Sequence, residues 1–191
     1  MKRLTGIFGG SFNPIHTGHI ELARRLLQDL PLEEIWFVVS PLNPFKKAAT
    51  DLLDDEKRLQ MAQLALEDEK GMLASDYEFH LPRPSYMLHT LQHLTADYPD
   101  REFALIIGAD NWLAFDRWFG YQEILANYPI FVYPRKGYDI DSSKMPTGVT
   151  YTNTPLFNLS STEIRTLVKE GKSLKGLIPD KIITLVEEYY R

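Results

Sequence analysis

Cysteine does not occur among the 191 residues. Its absence excludes a disulfide scaffold, thiol catalysis and any cysteine-ligated metal centre, and it agrees with a cytoplasmic protein. Long apolar runs are missing too. Ile35 to Val39 and Phe103 to Ile107 are strand-sized, so no segment is expected to span a membrane. Met1-Lys2-Arg3-Leu4 meets a glycine turn too soon to read as a secretory signal. Positive charge is in the minority: 21 Lys and Arg stand against 26 Asp and Glu, a net charge of −5. That balance argues against nucleic-acid and membrane partners, and it requires any anionic small ligand to meet a local positive patch. Repeats and low-complexity linkers are also lacking. What remains is ordinary globular composition, 44% hydrophobic and 25% charged, most simply one domain over residues 1–191.

Strand-like and helix-like stretches alternate along the chain. An apolar-rich run from Leu4 to Phe8 is followed by an amphipathic helix carrying Ile20, Leu22, Ala23, Leu26, Leu27 and Leu30. Ile35 to Val39 reads as a strand covered on both faces. Asp54 or Asp55 is positioned to cap the next helix. Met72 to Phe79 reads as a short strand, Ser85 as the cap of another helix, and Phe103 to Ile107 as a further strand ending in Gly108-Ala109-Asp110. A helix around Tyr121 to Ala126 precedes a strand from Ile130 to Tyr133. A polar loop over 137–148 leads to a last short strand at Val149 to Thr152. The tail is helical: Ser160 and Glu163 have the spacing of a capping box, Gly171 ends that helix, and Pro179 opens the last one. This alternation predicts an α/β, Rossmann-like, doubly wound fold: a mostly parallel sheet, helices on both faces and a helical C-terminal tail.

The chemistry concentrates between the first strand and the first helix, in Gly9-Gly10-Ser11-Phe12-Asn13-Pro14-Ile15-His16-Thr17-Gly18-His19. A helix start presents unpaired N–H groups and the positive end of its dipole, a ready anion site. Gly9 and Gly10 lack the Cβ that would hold a ligand away from the backbone. His16 and His19, three apart, share one face of a helical first turn and suit a polyphosphate. Zinc at this pair needs a third ligand, which the absence of cysteine leaves to a carboxylate or a distant histidine. His89 and His93 lack the glutamate of His-Glu-x-x-His. No protein metal site is expected.

Gly10 to His19 resembles the G-x-F-x-P-x-H-x-G-H signature of adenylyltransferases in the HIGH-type nucleotidyltransferase superfamily. Leu159-Ser160-Ser161-Thr162-Glu163-Ile164-Arg165 resembles that superfamily's second motif, I-S-S-T-x-I-R. Over nearly the whole chain the resemblance is to the family of bacterial nicotinate-nucleotide adenylyltransferases, helped by Ser85-Tyr86, Ile107-Gly108-Ala109-Asp110 and Trp118. It implies transfer of the adenylyl group of ATP to nicotinate mononucleotide, with release of pyrophosphate and Mg2+ as the cofactor that accompanies ATP. His16, His19 and Arg165 are then the catalytic residues. Gly9, Gly10, Ser11, Phe12, Gly108, Asp110, Ser161 and Thr162 join them around ATP. Asn13, Phe45, Lys46, Tyr86, Met87, Trp118 and Arg135 fall to the mononucleotide. A homo-oligomer is compatible with the resemblance.

Two positions depart from the family pattern. Phe45 stands where relatives carry a histidine, and it keeps the ring but loses a donor. Met87 stands where they carry a threonine that helps to recognise the nicotinate carboxylate, and a thioether donates no hydrogen bond. Nicotinamide mononucleotide and phosphopantetheine are therefore alternative acceptors, and a nucleotide sensor without chemistry is an alternative of a different class.

Overall fold

The computed structural model describes residues 1–41 and 51–191. Phe45 and Lys46 therefore lie outside the described residues. Six strands form one sheet in the order β3-β2-β1-β4-β5-β6. They are β1 (Arg3–Gly10), β2 (Glu34–Val39), β3 (Met72–Ser75), β4 (Arg101–Gly108), β5 (Ile130–Tyr133) and β6 (Val149–Tyr151). Every neighbouring pair is parallel. The expected doubly wound α/β architecture is what the chain adopts.

Period-two alternation in the strands divides the core. Phe8, Ile35, Phe37, Val39 and Ile106 face one layer, and Ile7, Trp36, Val38, Leu105 and Ile107 face the other. The first layer is covered by α1 (Thr17–Asp29), α2 (Asp55–Leu66), α6 (Ser161–Lys169) and α7 (Ile183–Tyr189). The second is covered by α3 (Met87–Asp97) and α5 (Tyr121–Asn127), with the short α4 (Ala109–Leu113) following β4. Ile182, Val186 and Tyr190 are buried in the first layer, so the C-terminal tail is part of the core.

Strand order reverses at β1, whose neighbours β2 and β4 lead away on opposite sides. A crevice opens at such a reversal beyond the carboxyl ends of the strands. The turns after β1, β4 and β5 all emerge there.

Two local expectations are corrected. The third strand stops at Ser75, because the Ser75 hydroxyl accepts the Tyr77 N–H at 3.2 Å and turns the chain into a 3-10 segment, Tyr77–His80. Tyr86, not Ser85, is the N-cap residue of α3, and Ser85 is buried instead. The remaining boundaries lie within a few residues of expectation. Asp54 caps α2, its carboxylate accepting the N–H groups of Glu56 and Lys57, and Ser160 caps α6 by accepting the N–H of Glu163 at 3.1 Å.

Candidate active site

The β1–α1 turn is held in an unusual conformation. Phe12 adopts a φ of +44°, in the left-handed region that a bulky residue enters only when its surroundings hold it there. Its ring supplies the hold, buried edge-on to Phe8 at 5.6 Å and tilted against Phe37 at 5.4 Å. On the open side the same ring lies 5.0 Å from that of His19.

His16 is the N-cap residue of α1, and the two histidine rings stack with centroids 3.6 Å apart. The backbone N–H of His16 donates to His19 Nδ1 at 3.1 Å. In the neutral ring the proton then sits on Nε2, so His19 offers a donor from its far side. His16 is buried, and burial, with the Arg135 guanidinium as a second cause, pushes its pKa down to about 3. It is therefore neutral at physiological pH.

Arg165 reaches the turn from the first helical turns of α6. Its Nη1 donates to the Asn13 carbonyl at 2.8 Å, and its Nη2 donates to Thr162 Oγ1 at 3.2 Å and to Asp51 Oδ2 at 2.6 Å. The Ser161 hydroxyl donates to the Pro14 carbonyl at 2.8 Å, so both sequence motifs are tied together.

A polar cavity is lined by Gly9, Gly10, Ser11, Phe12, Asn13, His16, His19, Asp110, Arg135, Ser161, Thr162 and Arg165. It gathers nearly all the residues expected around ATP. Gly108 sits at its edge, where a Cβ would come within 2.6 Å of Asp110 Oδ1 and 3.0 Å of Arg135 Cγ. A larger residue there would have to displace the Asp110 carboxylate. Asn13 and Arg135, expected at the mononucleotide, line the same polar cavity. The Asn13 amide is occupied by the protein itself: Nδ2 donates to the Asp51 carbonyl at 3.0 Å, and Oδ1 accepts the Leu53 N–H at 3.1 Å and the Tyr190 hydroxyl at 2.7 Å. Arg135 stands 3.9 Å from Asp110.

A second, more apolar cavity of about 160 Å3 adjoins the first and is lined by Tyr86, Met87 and Trp118. Phe8, Gly9, Gly10, Asn111 and Tyr133 face both spaces. The Met87 methyl packs over Gly9, where a Cβ would lie 2.9 Å from it. No side chain caps the start of α3, which leaves its first N–H groups directed at this end of the sheet.

Sequence reasoning passed over two buried charges. Arg58 is fully buried and donates to the carbonyls of Leu53 at 2.8 Å, Ser11 at 2.6 Å and Ser40 at 3.0 Å, with Asp55 as its ion-pair partner. It fastens the ends of β1 and β2 to the start of α2. Glu78 lines the apolar cavity, accepting the Thr90 hydroxyl at 2.9 Å. The only sequence signal for Arg58 was an arginine beside the apolar face formed by Leu59, Met61 and Ala62. For Glu78 it was an acid between two aromatic residues.

Phosphate-directed features at the crest of a doubly wound sheet define the class, a nucleotide-binding α/β protein. A family model described as cytidylyltransferase-like matches residues 7–167, and the chain belongs to that family. It is 52% identical over 174 residues to a probable nicotinate-nucleotide adenylyltransferase of Bacteroides fragilis, covering 91% of this chain and 86% of the relative. To the protein of the same description from Bacteroides thetaiotaomicron it is 45% identical over 190 residues, covering 100% and 94% of the two chains. These relatives bear out the resemblance drawn from the two motifs. Among solved structures, Plasmodium falciparum nicotinic acid mononucleotide adenylyltransferase complexed with NaAD shares the fold with a TM-score of 0.78, at 20% identity over 98% of this chain and 94% of the other.

Proposed function

We propose that this chain, acting as a single domain, is a nicotinate-nucleotide adenylyltransferase that joins ATP and nicotinate mononucleotide into nicotinate adenine dinucleotide. The observation that carries the reading is the pair of adjoining cavities, one polar and one apolar, which share the backbone of Gly9 and Gly10 as lining. A phosphoryl group resting on that backbone is reachable from both sides.

An oxygen of the mononucleotide 5′-phosphate attacks the α-phosphorus of ATP. A new P–O bond forms, the bond to the β-phosphate oxygen breaks, and pyrophosphate leaves with the electron pair. No protein nucleophile is required, so rate enhancement rests on alignment and on stabilising charge at the phosphoryl oxygens. His19 donates from Nε2, the N–H groups of α1 add their dipole, and His16 shapes the wall and fixes the His19 tautomer through its backbone. Arg165 offers a planar fork to the leaving phosphates, with Ser161 and Thr162 beside it. Asp110 accepts from the ribose hydroxyls over Gly108. Trp118 and Tyr86 flank the pyridine ring, and the uncapped start of α3 supplies N–H donors where Met87 cannot.

Among the described residues no three His, Cys, Asp or Glu side chains converge as a metal cage. The donor set there suits an Mg2+ that keeps phosphate and water ligands. When bound, such an ion neutralises part of the triphosphate charge. Among the described residues no helix is long and apolar enough to cross a membrane, and both substrates are small and polar.

The test is pyrophosphate release from ATP and Mg2+ with nicotinate mononucleotide, nicotinamide mononucleotide and phosphopantetheine side by side, with the products identified by mass. Turnover with nicotinate mononucleotide above the other two is expected. Turnover with phosphopantetheine alone, or ATP binding without any turnover, would replace this reading.

A further inference from the structure

Among the described residues the apolar cavity is lined by a single acid, Glu78, and a single cation, Arg117. Glu78 is only 3% exposed and, among the described residues, forms no ion pair. Among the described residues, hydroxyls stand beside its carboxyl: Ser40 after β2, Ser85 before α3, and Thr90 within α3, which donates to Oε1 at 2.9 Å. Ser40 and Ser85 also line the cavity, beside Met87 and Trp118. This is a polar corner in an otherwise apolar pocket, and such corners fix the orientation of a ligand.

An uncompensated buried carboxyl holds its proton more tightly than one in water. Burial pushes the Glu78 pKa up, opposed by the hydrogen bond from the Thr90 hydroxyl and by the nearby Ser40 and Ser85 hydroxyls. A protonated carboxyl has one O–H to give. Thr90 donates to Oε1, so the proton of the neutral carboxyl belongs on the other oxygen.

We propose that Glu78 is a specificity-determining residue whose protonated carboxyl donates a hydrogen bond to the carboxylate on the acceptor's ring, selecting the acid over its amide. The proposal rests on the adenylyltransferase reading above. It supplies the donor that Met87 lacks, from a carboxyl hydrogen-bonded to Thr90 of the same helix. Loss of the Glu78 proton sets two carboxylates against each other in a low-dielectric space, which penalises the acid acceptor and leaves the amide, itself a donor, unharmed.

Other titratable groups surround this corner and must be separated from it. On its own segment, Tyr77 donates to Asp97 and His80 pairs with Asp76. Lining the same cavity are Tyr86, Arg117 and Tyr133, the last pushed up to about 12 by burial. All of them persist in a Glu78→Gln variant, whose amide is a permanently neutral replacement.

The experiment measures kcat/KM for nicotinate mononucleotide and for nicotinamide mononucleotide from about pH 6 to about pH 9.5. The 5′-phosphate titrates alike in both acceptors and cancels from the ratio. In the wild-type enzyme the acid-to-amide ratio is expected to fall by about tenfold or more as pH rises. In Glu78→Gln the ratio stays level. In Thr90→Val, which removes a hydroxyl that stabilises the ionised carboxylate, the fall moves to higher pH. A wild-type ratio that does not change with pH overturns the proposal, whether or not Glu78→Gln folds. A fall that persists in Glu78→Gln, or keeps its midpoint in Thr90→Val, overturns it equally. Inactivity of the wild type with both mononucleotides would instead strike the adenylyltransferase reading itself.

Discussion

The Asp51 carboxylate lies 2.6 Å from Arg165 Nη2 inside the polar cavity. To a guanidinium, a carboxylate and a phosphate present similar pairs of oxygens. The Asp51 side chain is half-exposed while that of Arg165 is 14% exposed, so the carboxylate is the partner that is easily displaced. On the proposed reading, ATP binding exchanges one anion for another at Arg165. Asp51→Asn removes the competing charge and should tighten ATP binding by about 3- to 10-fold in titration calorimetry, an effect of the size of a partly exposed ion pair. Unchanged or weaker binding would mean that Asp51 positions the guanidinium rather than competing for it.

His19 has the most direct catalytic prediction. Removing one preorganised donor to a developing phosphoryl charge costs about a hundredfold to a thousandfold in kcat. His19→Ala is expected to show that loss, with an unchanged circular dichroism spectrum. Full activity in a folded variant would remove His19 from the mechanism.

Arg58 has a structural prediction instead. It ties the Leu53, Ser11 and Ser40 carbonyls together while fully buried. Arg58→Ala leaves three carbonyls without their donor and the Asp55 carboxylate with Arg83 as its remaining partner, and should cost about 3–5 kcal/mol in urea unfolding. The β1 and β2 ends that it anchors carry the glycine turn, so ATP affinity is expected to fall with stability. A loss below about 1 kcal/mol would show that solvent replaces it freely.

His16 gives a pH dependence with a definite sign. Its folded pKa of about 3 lies below the ordinary 6.5. The unfolded chain therefore binds the extra proton first as pH falls, and stability rises with pH in that window. The His16 contribution is complete above about pH 6.5 and is lost progressively toward about pH 3. His16→Asn should flatten the stability-versus-pH curve between about pH 6 and about pH 4 by up to one proton. Identical slopes in variant and wild type would place the acid sensitivity elsewhere.

Much of this was legible beforehand because periodicity and glycine placement are local signals. The strand at Ile130 to Tyr133 and the caps at Asp54 and Ser160 fell where the sequence put them. The polar cavity was legible for a different reason: most of its residues lie in two contiguous motifs, while Asp51, Asp110 and Arg135 come from other turns. Asn13 was legible as a member of the motif but not in its placement, because its partners Asp51, Leu53 and Tyr190 come from three distant points of the chain. Arg58 and Glu78 escaped for the same reason. A buried charge is recognised by what surrounds it, and their partners are tertiary.

The backbone of Gly9 and Gly10 is a wall common to both cavities. Two weak ligands, one seated on either side of it, therefore stand a few atoms apart. Joining them with a short tether makes the second association intramolecular, at an effective concentration on the order of millimolar. A compound built that way, an adenosine mimic linked across the glycines to an aromatic acid, gains about a hundredfold to ten-thousandfold over either half without any new contact. The backbone shared by the two cavities is also where a bridged inhibitor would lie.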